Sequence, residues 1–373
     1  MKKAIFLTHY HSLHSEITGG VQLCSQEFYQ VIENIDDLQL EEYHVPYTKN
    51  VRQRIMMKAG LENYSMYNVQ KDASALVKYI LEHDIEIVFI NMASLVRYAK
   101  PIKDVFNDKV KTVLLSHGNH SGDFLHQITK PLKYENIFRN FMKKLRLGLL
   151  ISTEATYRVK YVDSVVTLSE TEKQIENWFG AKKTVFLPRR LYPDFVDHKP
   201  VLGRVGFVGR LDHPPNFQGM QILLKSLENA DYKGVEIRIV GAPEKFGRAL
   251  QKEFPLIIYL GELSDCQLDE EVATWSLLLN PVWWYSTGAS TKLAKAISWG
   301  IPIITTTAGM RGYLFENGKL IIADSPEAMV KLILQEATNV DSIKNWANET
   351  KKIASGGIGD KKLAQLINST LND

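Results

Sequence analysis

Two cysteines in 373 residues, Cys24 and Cys266, are too few and too far apart for a disulfide framework or a cysteine-based metal site. A reducing cytoplasm is therefore the expected compartment. Long apolar stretches are missing too. Lys2-Lys3 leads into a short run that stops at Thr8-His9-Tyr10-His11, less than a secretory signal needs, and no run reaches the ~18 residues of a membrane span. Neither export nor a membrane-spanning segment is expected. Charge of one sign is also scarce: 45 Lys and Arg stand against 42 Asp and Glu, a formal +3. With no RNA- or DNA-binding signature beside it, that balance argues against a nucleic-acid partner. No Asp-x-Asp is placed to hold a metal-bound diphosphate. The spacing of His9, His11, His14 and His120 matches no ligand pattern, so they read as a hydrogen-bonding loop and no metal is expected.

What is present is a repeated alternation of strand-like and helix-like segments. With 45% apolar and 23% charged residues, the chain is large enough for two domains with separate cores. Strands are predicted at 4–10, 40–45, 86–91, 110–117, 164–169 and 184–187, then at 204–208, 235–240, 257–260, 277–281, 302–306 and 319–322. Helical patterns between them imply parallel sheets with right-handed crossovers. The predicted fold class is α/β, with two Rossmann-like doubly wound domains facing a cleft and C-terminal helices crossing back. The expected divisions are 1–190, a linker at 191–203 carrying Pro193 and Pro200, a second domain at 204–350, and a terminal helix at 351–373 packing on the first domain.

Three strand-to-helix loops carry the candidate chemistry. Gly288, Ala289 and Ser290 let an anion approach the N-terminus of the helix that follows, and Lys292 adds a charge in its first turn. Gly19-Gly20 opens a second helix after the first strand. Arg210 lies just past the strand at 204–208, at the carboxyl end where open α/β sheets bind ligands, and Pro214-Pro215 can start the helix beyond it.

The order of these pieces resembles the GT-B glycosyltransferases of family 4. It runs from the Gly-Gly-Val loop at 19–21, through His117-Gly118 after the fourth strand and Gly209-Arg210-Leu211, to the glycine-containing helix ending in Gly-Ile-Pro-Ile-Ile-Thr-Thr at 300–306. Gly-Arg-Leu-Asp-His-Pro-Pro-Asn-Phe at 209–217 and the run 305–313 resemble a bacterial branch with a Pro-Pro-Asn signature. The resemblance covers nearly the whole chain. It implies transfer of a hexose-type sugar from a nucleotide-sugar donor to an acceptor hydroxyl, with retention and without a metal, in assembly of a surface polysaccharide or glycolipid. The nucleotide-diphosphate sugar is then a substrate and no cofactor is needed.

On the same resemblance, Arg210 and Lys292 face the departing diphosphate, His117 stands near the reacting sugar, and Gly19 and Gly20 close over the donor. Asn216, Thr287, Gly288, Ala289, Ser290 and Lys295 complete the donor site. The family's Glu-x7-Glu motif is replaced here by Thr287 and Lys295, which turns an acceptor-only carboxylate into a donor-only ammonium. The lysine that often follows the Gly-Arg motif is replaced by Pro215-Asn216. These departures keep a catalytically inactive nucleotide-binding or scaffold paralogue as the alternative, with a phosphorylase third.

Two further segments have double readings. Trp283-Trp284-Tyr285 is either a platform for a sugar face or core packing. The segment 130–160 combines Lys130, Lys133, Arg139, Lys143, Lys144, Arg146, Arg158 and Lys160 with apolar residues at roughly helical spacing. It is either a basic amphipathic surface in peripheral contact with the inner membrane face, suited to a saccharide or lipid-linked saccharide acceptor, or a helix packing its apolar side on the first domain.

Overall fold

The computed structural model describes residues 1–15, 19–58, 64, 66–129, 137–230, 232–285 and 287–371. Ser286 of the donor loop, and Lys130, Lys133 and Glu135 of the basic segment, lie outside the described residues. The strands are β1 (Lys2–Thr8), β2 (Leu38–His44), β3 (Ile87–Asn91), β4 (Lys111–Leu115), β5 (Ser164–Thr167) and β6 (Thr184–Phe186), then β7 (Val201–Val208), β8 (Glu236–Val240), β9 (Ile257–Gly261), β10 (Trp275–Asn280), β11 (Ile303–Thr305) and β12 (Ile321–Ile322). Their pairing is parallel throughout.

They build two six-stranded sheets, ordered β2-β1-β3-β4-β5-β6 and β12-β11-β10-β7-β8-β9. The fold is α/β with two Rossmann-like units. Parallel sheets are covered on both faces, which is why β3 and β10 are buried along their whole length and are mostly apolar rather than alternating, with Ser276 inside β10 and Asn91 and Asn280 closing the two strands.

The first unit comprises residues 1–188 and 359–373, and the second comprises 189–358. In the first, Ile5, Leu7, Val88, Ile90 and Leu114 from the sheet meet Leu76, Ile80 and Ile102 from helices. Helix Asp360–Asn368 buries Leu363 and Ile367 and packs on helix Gly20–Glu33. In the second, Val205, Phe207, Ile237 and Leu277 pack on Met220, Leu223 and Leu227 of helix Pro214–Glu228, with Met329 and Ile333 of helix Pro326–Glu336 alongside. That helix starts with proline because the first turn needs no N–H partner.

The segment read as a linker is not a free connection. Arg189 donates its N–H to the Gly312 carbonyl, Asp194 to Ser298, Val196 to Trp299 and Lys199 to Ala273, and β7 begins at Val201. Residues 189–203 therefore lie along the second unit, held by backbone hydrogen bonds that proline content does not reveal. Among the described residues no helix is long and apolar enough to cross a membrane.

Candidate functional site

In the second sheet the strand order reverses between β7 and β10, and a doubly wound sheet opens a ligand crevice at the carboxyl ends of the strands there. Gly209 and Arg210 follow β7, and the loop after β10 leads into helix Thr291–Trp299. Lys292, in the first turn of that helix, reaches back to Asn216 of helix Pro214–Glu228, with Nζ 2.6 Å from Asn216 Oδ1. Asn216 in turn donates through Nδ2 to the Arg210 carbonyl at 2.7 Å. Two segments distant in sequence, 210–216 and the helix at 291–299, are thus tied at one point. A Cβ at Gly209 would sit 3.3 Å from Lys292 Cδ and 3.4 Å from Asn216 Nδ2, so the glycine keeps this junction close.

The electrostatics are cationic. Lys292 lies with its ammonium 5.3 Å from the centre of the Phe207 ring. Burial, with the Arg311 guanidinium adding repulsion, pushes Lys292 down to about 7. Arg311 donates to the carbonyls of Ala308 at 2.8 Å and Thr287 at 3.3 Å. Arg210 is exposed and holds Asp212 with two contacts of 3.0 and 2.6 Å. An exposed pair of this kind is weakened by water and salt, so an incoming anion can compete for the guanidinium.

Asn216 thus links the Lys292 ammonium to the Arg210 backbone, while the Arg210 guanidinium stays on Asp212 and the other predicted residues have different local roles. Ser290 is buried and caps the helix, its Oγ accepting from the Leu293 N–H at 3.4 Å. Gly288 has φ 71°, a left-handed conformation that glycine adopts freely. Ala289 packs on the apolar cluster around Leu293 and Tyr313. Thr287 offers its carbonyl to Arg311. Lys295 turns away from this junction, its ammonium 5.0 Å from the centre of the buried Trp299 ring. Trp283 donates Nε1 to the Gly219 carbonyl at 3.0 Å and packs on the core, and Trp284 is buried, which favours the packing reading for both.

In the first unit the order reverses between β1 and β3. Asn91, the buried last residue of β3, donates to Thr8 Oγ1 and Ser25 Oγ, both at 2.9 Å, and its Oδ1 lies 2.8 Å from His117 Nε2. That contact fixes the imidazole beside Phe28, 5.5 Å away between ring centres. Gly19 caps helix Gly20–Glu33 at an exposed N-terminus, where its N–H donates to Gln22 Oε1 at 3.1 Å.

Asn91 and Arg311 were missed by sequence reasoning. The one available signal was a polar residue closing an otherwise apolar strand, which holds for Asn91 and for Asn280, whose Nδ2 donates to Thr305 Oγ1 at 3.0 Å and the Gly309 carbonyl at 3.2 Å. The histidines also part company. His9 stacks on Tyr47, 3.8 Å between centres, and its Nδ1 accepts from the His11 N–H. His120 stacks on Tyr64 at 4.8 Å, and His14 meets β2.

Residues 203–339, which contain the whole Arg210–Asn216–Lys292 junction, match the family model described as glycosyl transferases group 1. The second unit carries a group 1 glycosyl transferase domain. Solved structures extend the likeness in fold over the whole chain. A sucrose-phosphate synthase from Thermosynechococcus elongatus superposes with TM-score 0.68 at 13% identity, covering 100% of this chain and 98% of that one. Anabaena Alr3699/HepE in complex with UDP gives 0.61 at 16%, covering 100% and 99%. The lipopolysaccharide outer core galactosyltransferase WaaB in its apo form gives 0.63 at 14%, covering 99% of each chain. No curated protein sequence matches the chain. In the group 1 domain, the predicted donor residues Arg210, Asn216, Thr287, Gly288, Ala289, Ser290, Lys292 and Lys295 all fall inside the matched span, whereas Gly19, Gly20 and His117 fall outside it.

Proposed function

We propose that the protein is a glycosyltransferase that moves a hexose-type sugar from a nucleotide-sugar donor to an acceptor hydroxyl, with retention, during assembly of a surface polysaccharide or glycolipid. The observation that carries this reading is the Arg210–Asn216–Lys292 junction at the strand-order reversal of the group 1 domain. As the bond between sugar and phosphate breaks, charge grows on the departing diphosphate, and fixed cations with helix N–H groups stabilise it best when already in place. Arg210, Lys292 and the first turn of helix Thr291–Trp299 supply that charge, so the diphosphate needs no metal ion in this reading. HepE, whose structure holds UDP, makes uridine nucleotides the first donors to try. In the first unit His117, oriented by Asn91, serves as a hydrogen-bonding group toward the reacting sugar, and Gly19-Gly20 as a close backbone approach.

The test is a thermal-shift screen against UDP, GDP, ADP, dTDP and CMP and their sugar conjugates, in wild type and Arg210→Ala. A ligand that binds the native state raises Tm. One preferred nucleotide in the wild type, with turnover lost in the variant, supports the enzyme. Nucleotide binding without turnover of any conjugate favours the inactive paralogue, which Lys295 in place of a carboxylate keeps as the second reading, and no shift at all overturns both.

The setting we propose is the cytoplasmic side of the membrane, with a saccharide or lipid-linked saccharide as acceptor. Helix Ile137–Lys160 supports peripheral contact, because Ile137, Phe138, Phe141, Leu145 and Leu149 form an exposed apolar stripe beside Arg139, Lys143, Lys144 and Arg146. The purified protein is expected to co-sediment with anionic liposomes at low salt, and Phe138→Glu with Phe141→Glu to abolish this. Wild-type protein that stays in the supernatant removes the membrane from the proposal.

A further inference from the structure

We propose that His14, Glu42 and His44 form a binding site for one divalent transition-metal ion of the zinc type. Side chains alternate along a strand, so Glu42 and His44 project from one face of β2 near its carboxyl end. The β1–β2 register pairs Thr8 with His44. The chain leaving β1 makes a short helical turn at Tyr10–Leu13 and delivers His14 to the same spot. Two imidazoles then converge on one carboxylate oxygen: His14 Nε2 is 2.7 Å and His44 Nε2 2.9 Å from Glu42 Oε2. One ligand atom from each of the three residues lies within 4.8 Å of the others.

A zinc ion holds N and O ligands at about 2.0–2.2 Å in a tetrahedron, which spaces the ligand atoms roughly 3.3 Å apart. The two nitrogen–oxygen separations, 2.7 and 2.9 Å, fall about half an ångström short of that spacing, and the two imidazoles, 5.8 Å apart between centres, close on the ion by side-chain rotation. The Tyr10 ring lies 4.8 Å from His14 and 5.4 Å from His44, centre to centre, and limits how far either imidazole can turn. The three side chains are 41%, 26% and 33% exposed, so an ion can enter from solvent and keep an open coordination position.

Two imidazoles and one carboxylate suit zinc, cobalt, nickel or copper, and are a poor match for magnesium or calcium, which prefer all-oxygen sets. The bound ion would tie residue 14 to β2. The sequence concealed this group because its histidines pair across 28 and more residues rather than with one another in the His9–His14 run.

The test uses untagged full-length protein, titrated calorimetrically with ZnCl2 and, in parallel, with CoCl2 followed by its ligand-field absorption. One ion per chain is expected, with a rise in Tm on adding zinc. Glu42→Gln and His44→Ala are each expected to weaken binding at least about tenfold, the lower end of what even an outer-shell partner contributes, while exposed His11→Ala leaves affinity unchanged. Circular dichroism of each variant confirms that it is folded. Absence of stoichiometric binding overturns the proposal, as does zinc affinity that Glu42→Gln and His44→Ala leave intact, since this would place the ion elsewhere.

Discussion

Lys292 stands at about 7 in place of the usual 10.5 because its surroundings desolvate it and Arg311 repels its proton. The attraction of an anion in front of it offsets both effects, so binding of a nucleoside diphosphate should draw a proton onto Lys292. Affinity is then expected to fall as pH rises above about 7, and Lys292→Met should flatten that slope; calorimetry at several pH values in buffers of different ionisation enthalpy measures the proton taken up. Stability carries the opposite sign. Between about pH 7 and 10.5 the unfolded chain holds a proton that the folded chain has shed, so this group's contribution rises with pH through that window and its penalty is full below it. The stability of wild type relative to Lys292→Met, from urea unfolding, should increase over the same range. Arg210 and Lys292 were legible in the sequence because each lies at a strand end or in a helix's first turn, where local rules apply. Arg311 was not, since it lies 19 residues beyond Lys292 and only the folded loop brings the two charges close.

At the scale of elements, every predicted strand is present, with ends shifted by a few residues, since an unbroken apolar run marks a buried parallel strand well but marks its termini poorly. Helix Ile137–Lys160 shows what periodicity cannot say. Its first half keeps an apolar stripe exposed, while its second half buries Leu150, Glu154 and Arg158 on successive turns. Arg158, counted from the sequence among the solvated basic residues, is fully buried and forks onto Glu176 at 2.8 and 3.0 Å. Glu176 also accepts from Asn119 Nδ2 at 2.8 Å, and Glu154 receives the Tyr64 hydroxyl and the His120 N–H. Both carboxylates belong to pairings between helices, and no count of charges along one helix can reveal their partners. Arg158→Met should cost about 3–5 kcal/mol, because it leaves Glu176 charged and buried. The double variant with Glu176→Leu should recover much of that loss, which urea denaturation of the three proteins would measure.

For the molecule as a whole, the division into units follows packing rather than chain order, since residues 359–373 complete the first unit although the second intervenes. Leu363, Ile367 and Leu371 are buried there, and Lys111 Nζ donates to the Leu371 carbonyl at 2.8 Å. Ending the chain at residue 358 should remove roughly 1.5–3 kcal/mol for each of these three side chains from the stability of the first unit, and scanning calorimetry should show its transition lowered or lost while that of the second unit persists. The arrangement also sets an order of events at the ribosome. Domains generally fold as they emerge, but here the unit built on residues 1–188 waits for the helix Asp360–Asn368 to be made. The group 1 domain, synthesised in between, can close its core before the older half of the protein has acquired its last helix.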